Sequence, residues 1–101
     1  MLFDVQTRPA GDSTTIAVVG DVDLSALPRL MAALDAVHDG PLHVDLRSVD
    51  WFDPVCLGVL LAADRKARRR GATMTVTASG AAADLLGECG LDRILEISRE
   101  A

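Results

Sequence analysis

The stretch LHVDLRSVDWFDPVCLGVLLAADRKARRR, residues 42–70, decides the fold. Its opening residues, 42–46, place Leu42, Val44 and Leu46 at alternate positions, and they predict a buried strand. Asp53-Pro54-Val55-Cys56 then makes a tight loop, with Pro54 where proline suits the first position of a helix. The helix that follows is apolar through Leu57, Leu60 and Leu61, and basic from Arg65 to Arg70. Gly71 is placed to cap its C-terminus. A strand feeding a helix through a short loop is the repeating unit of a layered α/β domain.

The flanking sequence extends this pattern. Residues 2–7 (LFDVQT) alternate apolar and polar, and residues 14–20 (TTIAVVG) form a β-branched run. The turn signal Pro9-Ala10-Gly11-Asp12 between them predicts a hairpin. After Gly20-Asp21-Val22-Asp23, Ser25 is a candidate N-cap for a helix with Pro28 inside its first turn. Leu27, Leu30, Met31, Leu34 and Val37 repeat there at helical spacing, and Gly40-Pro41 ends the run. Residues 73–77 (TMTVT) read as a strand, Ser79 as the cap of a short helix carrying Leu85 and Leu86, and residues 94–97 (ILEI) as a last strand. The order is β-β-α-β-α-β-α-β, an α/β domain with a mixed, mostly parallel sheet whose first strand is antiparallel. No linker or repeat divides the chain, so residues 1–101 read as one domain.

Composition narrows the function. Half of the 101 residues are apolar, a quarter are charged, and the net charge is −5, which disfavours a general nucleic-acid binder. No apolar run reaches the roughly 18 residues of a membrane span, and the N-terminus lacks the basic and apolar regions of a signal peptide. The expectation is a cytoplasmic protein without membrane insertion. Two cysteines make no disulfide framework, and no Cys/His spacing points to zinc. Without a Gly-rich phosphate loop or a nucleophile–base pair, the chain reads as non-enzymatic, with no cofactor and no metal.

Parallel strands at 14–20 and 42–46 would open their following loops on one sheet edge, where sites form in open α/β sheets. Asp21, Asp23, Asp50 and Asp53 would then gather near two helix N-termini, which favour carboxylates. Both capping and a recognition surface account for these acids, and both readings stay open at this point.

Four blocks, in order, resemble the STAS domain family (sulphate transporter and anti-sigma factor antagonist). They are Gly20-Asp21-Val22-Asp23 with the helix opening Ser25-Ala26-Leu27-Pro28-Arg29-Leu30, Val44-Asp45-Leu46-Arg47-Ser48-Val49, Asp53 with Leu57-Gly58, and Gly90-Leu91-Asp92-Arg93-Ile94-Leu95. The resemblance implies a bacterial regulator of sigma-factor-dependent transcription that binds a kinase-type anti-sigma factor, and whose loop serine is phosphorylated to weaken that binding. A phosphate there would add about −1.5 to −2 charge among the acids. The family's loop reads Asp-Ser-Ser-Gly-Leu-Gly. Here Pro54 stands at the phosphorylated serine, Val55 at the second serine and Cys56 at the glycine, so neither position 54 nor 55 can accept a phosphate. Ser48 lies elsewhere and does not inherit the role. The expected partner-binding residues are Asp21, Asp23, Ser25, Asp53, Pro54, Val55, Cys56 and Leu57. The alternatives are an accessory subunit bound to the ATPase of a lipid-type ABC transporter, and a redox-responsive module using Cys56. Monomer and homodimer are both compatible with the sequence.

Cys56, near a helix N-terminus, is expected to have a lowered thiol pKa if it is a redox site, and to be a small buried residue otherwise. A disulfide with Cys89 is not expected, because the two lie at opposite ends of parallel-running helices. Trp51 and Phe52 should face opposite ways, one into the core and one available as a partner contact. The run Arg65–Arg70 reads as a solvated face, and His38 and His43 as ordinary helix-end and strand residues.

Overall fold

The computed structural model describes residues 2–100. A hairpin, β1 (Phe3–Ala10) and β2 (Ser13–Val22), leads to α1 (Leu27–Asp35) and β3 (Leu42–Phe52). A 3-10 turn (Pro54–Leu57) enters α2 (Gly58–Arg69), followed by β4 (Met74–Ala78), α3 (Gly80–Glu88) and β5 (Glu96–Arg99). The five strands lie in the order β1-β2-β3-β4-β5, with β1 antiparallel to β2 and every later pair parallel. The expected order of elements and the mixed sheet are therefore present.

Alternation explains the two faces of the sheet. Ile16, Val18, Val44 and Val76 are buried on one face, in a single core with Leu30, Leu34, Leu60, Ala67 and Leu86 from the helices. Each fully buried leucine contributes roughly 1.5–3 kcal/mol by leaving water. The other face carries Thr15, His43 and Thr75 at paired positions and stays half-exposed. There His43 lies between two threonines, its Nδ1 2.8 Å from Thr75 Oγ1 and its Nε2 3.2 Å from Thr77 Oγ1.

β3 is longer than its sequence pattern predicts, running to Phe52 and not ending at Leu46. Two register shifts against β2, between Ala17 and Val19 and between Gly20 and Asp21, put extra residues into β3. Burial therefore steps by two from Leu42 to Leu46 and then by three to Val49 and Phe52. β4 stops pairing at Ala78, opposite Leu46, so the end of β3 has lost that neighbour. α3 packs against this end instead, and the Ser79 hydroxyl donates to the Arg47 carbonyl at 3.0 Å, replacing a ladder bond. Ser79 stands at the N-cap position as expected, but its side chain serves β3 and makes no cap bond to α3.

Two further expectations are corrected. α1 is entered through Ala26, and the cap bonds come from the Asp23 carboxylate and not from Ser25. Met31 is exposed, since the buried stripe of α1 runs through Leu30 and Leu34, and Val37 is buried beyond the helix end. The basic run is a solvated face as expected, with Arg65, Arg68 and Arg69 exposed, and three of its members also bond neighbouring segments. Arg70 donates twice to the Gly40 carbonyl (3.1 and 2.9 Å), Lys66 donates to the Asp35 carbonyl, and Arg68 pairs at 2.9 Å with the buried Asp64. Gly71 ends α2 as predicted, with φ +77 and bonds from Gly71 N to Arg68 O and from Ala72 N to Ala67 O.

Candidate functional site at the strand ends

β2 and β3 run parallel and finish together, Val22 beside Phe52. Their following loops, 21–25 and 53–57, are stitched to each other. The Asp53 amide donates to the Val22 carbonyl at 2.8 Å, and the Cys56 thiol lies 3.6 Å from the Asp23 carbonyl. Each loop is folded over its own aspartate. Asp23 Oδ1 accepts from the Ser25 amide (2.9 Å), the Ala26 amide (3.1 Å) and the Ser25 hydroxyl. Asp53 Oδ1 accepts from the Val55 amide (3.0 Å), while the Cys56 amide donates to the Asp53 carbonyl (2.8 Å). Aspartate suits both places because its short carboxylate reaches amides two and three residues ahead. The Ser25 hydroxyl, then the Ala26 amide, hold the Asp23 carboxyl below its ordinary pKa.

These bonds leave apolar side chains outside. Val55 is 69% exposed and Leu24 58%, with Pro54 and Ser25 exposed beside them. Leu2 joins the same edge, because its carbonyl accepts from the Asp21 amide at 2.9 Å. Gly20 makes that approach possible: at φ +93, a Cβ there would stand 2.0 Å from the Leu2 oxygen. Trp51 lies opposite Asp21, half in solvent, while Phe52 is buried, so one of the adjacent aromatics is core and the other is exposed, as expected.

Of the anticipated acids, Asp23 and Asp53 are brought together, and both act on the thiol between them. Asp21 sits across from Trp51. Asp50 is exposed on β3 and, among the described residues, makes no side-chain hydrogen bond or ion pair. Capping thus accounts for Asp23 and Asp53, and leaves Asp21 and Asp50 as surface charge. Two anticipated contact residues are corrected. Cys56 and Leu57 are buried, at 0% and 7% exposure, so their side chains support the loop from below. Burial, reinforced by Asp53 and Asp23, pushes the Cys56 thiol up, the opposite of the lowering that a helix N-terminus could have supplied. Cys56 and Cys89 are both free.

Leu24 is the residue that sequence reading passed over; an aliphatic side chain between acids in a helix-entry loop was its signal. Among the described residues, no group of three or more His, Cys, Asp or Glu could hold a metal ion. No helix among them is long and apolar enough to cross a membrane.

A family model described as "Mlab, STAS domain" matches residues 5–96. Solved structures align over nearly the whole chain. An anti-sigma factor antagonist from Mycobacterium paratuberculosis superposes with a TM-score of 0.87 at 24% identity, over 95% of this chain and 85% of that one. The anti-sigma factor antagonist SpoIIAA in its unphosphorylated form gives 0.70 at 12% identity, over 99% and 90%. The Bacillus cell fate determinant SpoIIAA in its phosphorylated form gives 0.72 at 13% identity, over 99% and 92%. Among curated proteins there is no significant match.

Proposed function

This chain belongs to the STAS domain family, and we propose that residues 1–101 act as one non-enzymatic binding module of the anti-sigma factor antagonist kind. Its partner is a kinase-type anti-sigma factor, and the contact is made by the 21–25 and 53–57 loops with the start of α2. The observation that carries this reading is the loop pair itself. Two aspartate-folded turns, bonded to each other, hold Leu24, Pro54 and Val55 out in solvent at the edge where the parallel strands end. Exposed apolar side chains on a rigid support suit protein recognition, because little conformational freedom is lost on binding.

Control by phosphate does not operate at this loop. Pro54 and Val55 carry no hydroxyl, so binding is constitutive with respect to the partner's kinase activity. Incubation with a cognate anti-sigma kinase and ATP leaves residues 53–57 unmodified; a phosphopeptide from that segment in mass spectrometry would end this reading. In the same assay Val55→Asp weakens capture of the kinase at least about tenfold, as loss of a central apolar contact does. Wild-type affinity in that variant would place the contact elsewhere.

A second reading is favoured by the same missing hydroxyl. A permanently docked accessory subunit, seated on the ATPase of a lipid-type ABC transporter, needs no phosphate release. Co-purification with a transporter ATPase, and not with an anti-sigma kinase, would select it. A redox input through Cys56 is disfavoured by its burial and raised pKa.

A further inference from the structure

Beside the two loops lies a groove of about 290 Å³ that neither loop explains. Its walls are Trp51, Pro54 and the apolar part of α3, Ala81 and Leu85, and its floor is Phe52. Asp84 and Glu88 complete the α3 side. Ala81, Asp84, Leu85 and Glu88 follow helical spacing, so one stripe of α3 faces the groove while Ala82, Ala83 and Leu86 go into the core. The groove exists because β4 ends at Ala78 and leaves α3 to pack against the bare end of β3.

Its charge is one-sided. Of the two acids that line the groove, Asp84 and Glu88, the second has no ion-pair partner among the described residues. The cation bonded to the α3 rim is Arg99, already committed to Asp84 at 2.7 Å. The basic run of α2, Lys66 to Arg70, lies at the opposite end of the molecule, tied to the Asp35 and Gly40 carbonyls. An apolar slot with an exposed indole and an acidic rim complements a cationic amphipathic segment.

We propose that the docking surface continues from the 53–57 loop into the Trp51–α3 groove, which receives a helix of the protein partner carrying one large apolar side chain flanked by Lys or Arg. The inference rests on the reading of the two-loop edge as a docking surface and adds the chemistry of what docks there. The apolar side chain fills the space between Trp51 and Leu85, and the flanking cations meet Glu88 and Asp84.

Trp51 is the single tryptophan of the chain, so its fluorescence reports on the groove without labelling. The probes are two helical peptides of about four turns, each with a central leucine, one flanked by lysines and the other by glutamates. With the cationic peptide the Trp51 emission moves to the blue and becomes shielded from acrylamide, and added salt reverses the effect. The anionic peptide produces no change. Glu88→Lys weakens the cationic peptide about three- to tenfold, the range for losing an exposed ion pair and gaining a like-charge contact. That variant folds, because a cation at the end of α3 is favoured by the helix dipole. An absent shift, or equal shifts with both peptides, overturns the proposal. A blue shift that appears with protein concentration alone also overturns it, by assigning the groove to a second copy. Val55→Asp leaves peptide binding intact while it weakens kinase capture, so that variant reports on the two-loop reading and Glu88→Lys on the groove.

Discussion

Gly20→Ala tests how the edge that carries the two loops is held together. The residue has φ +93, and an alanine Cβ would stand 2.0 Å from the Leu2 carbonyl oxygen and 2.9 Å from its carbon. Both are backbone atoms, so no side-chain rotation relieves the contact. An L-residue in this region costs roughly 1–2 kcal/mol in local strain. The first residues of the chain must also lift, breaking the 2.9 Å bond from the Asp21 amide to Leu2, which is worth about 1 kcal/mol. Together these amount to roughly 2–3 kcal/mol, or a fall of roughly 10–20 °C in melting temperature for a domain of this size. Two controls separate the causes. Gly11 has φ +62, and a Cβ added there would meet nothing within 4 Å, so Gly11→Ala carries the strain without the clash. Gly58 is helical with open space around it, and Gly58→Ala gains up to about 1 kcal/mol from helix propensity. The assay is thermal unfolding by circular dichroism, with hydrogen exchange at the Asp21 amide as a local readout. If Gly20→Ala loses no more stability than Gly11→Ala, and the Asp21 amide keeps its protection, the close approach of Leu2 does not organise this edge.

Two further outcomes follow from the titrating groups. A thiol reagent at neutral pH modifies the exposed Cys89 quickly and the buried Cys56 only through unfolding, since burial and two neighbouring carboxylates disfavour its thiolate; a single fast phase accounting for both cysteines would contradict the packing described. Asp23 is held below its ordinary pKa by Ser25 and then the Ala26 amide, and Asp45 by Arg47, whose guanidinium bonds both carboxylate oxygens at 3.0 and 2.9 Å. A carboxyl whose pKa is lower when folded adds stability above its unfolded value of about 4, and that stability is lost as pH falls through the folded value. Urea midpoints measured downward from pH 5 therefore fall less steeply in Asp23→Asn and Asp45→Asn than in the parent; parallel curves would refute the assignment.

The elements were legible where periodicity was undisturbed. The alternation of 42–46, the β-branched run of 14–20 and the apolar spacing of α1 and α2 each correspond to a real element. Legibility failed where local geometry changed the period. Two bulges carry β3 on to Phe52, and a strand that steps by three through Val49 and Phe52 has no regular signal to read. It also failed where two residues competed for one job. Asp23 and Ser25 both suit a helix cap, and the carboxylate prevails because it stands where the chain leaves β2, with the amides of Ser25 and Ala26 directly ahead of it. Loop membership placed Cys56 and Leu57 with the contact residues, yet a 3-10 turn of four residues must bury one side, and theirs is the buried one. The α3 groove was out of reach for another reason. Its helical stripe is visible in the sequence, but its pairing with Trp51 depends on β4 ending before β3.

The loss of the serine and the form of the loop bear on each other. A phosphorylated switch must let its hydroxyl enter a kinase site and then change the partner's affinity by adding charge. In this chain the loop is bound on both sides of Pro54: Asp53 is fixed to β2 through its amide and to Val55 through its carboxylate, and Cys56 is packed against the 21–25 loop. Proline adds a fixed φ at the one position between them. The result is a loop with its conformation already set before any partner arrives. Such a loop favours affinity through lowered ordering cost, while it removes the mobility and the acceptor that phosphate control requires. On the reading proposed above, regulation would then act through the amount of partner or of the module itself. Reinstating serine at 54 alone would then create a hydroxyl without recreating the switch: Pro54→Ser is expected to bind the anti-sigma kinase as the parent does and to be phosphorylated poorly, and rapid phosphorylation followed by release would show that the serine, and not the loop's rigidity, was all that had been lost.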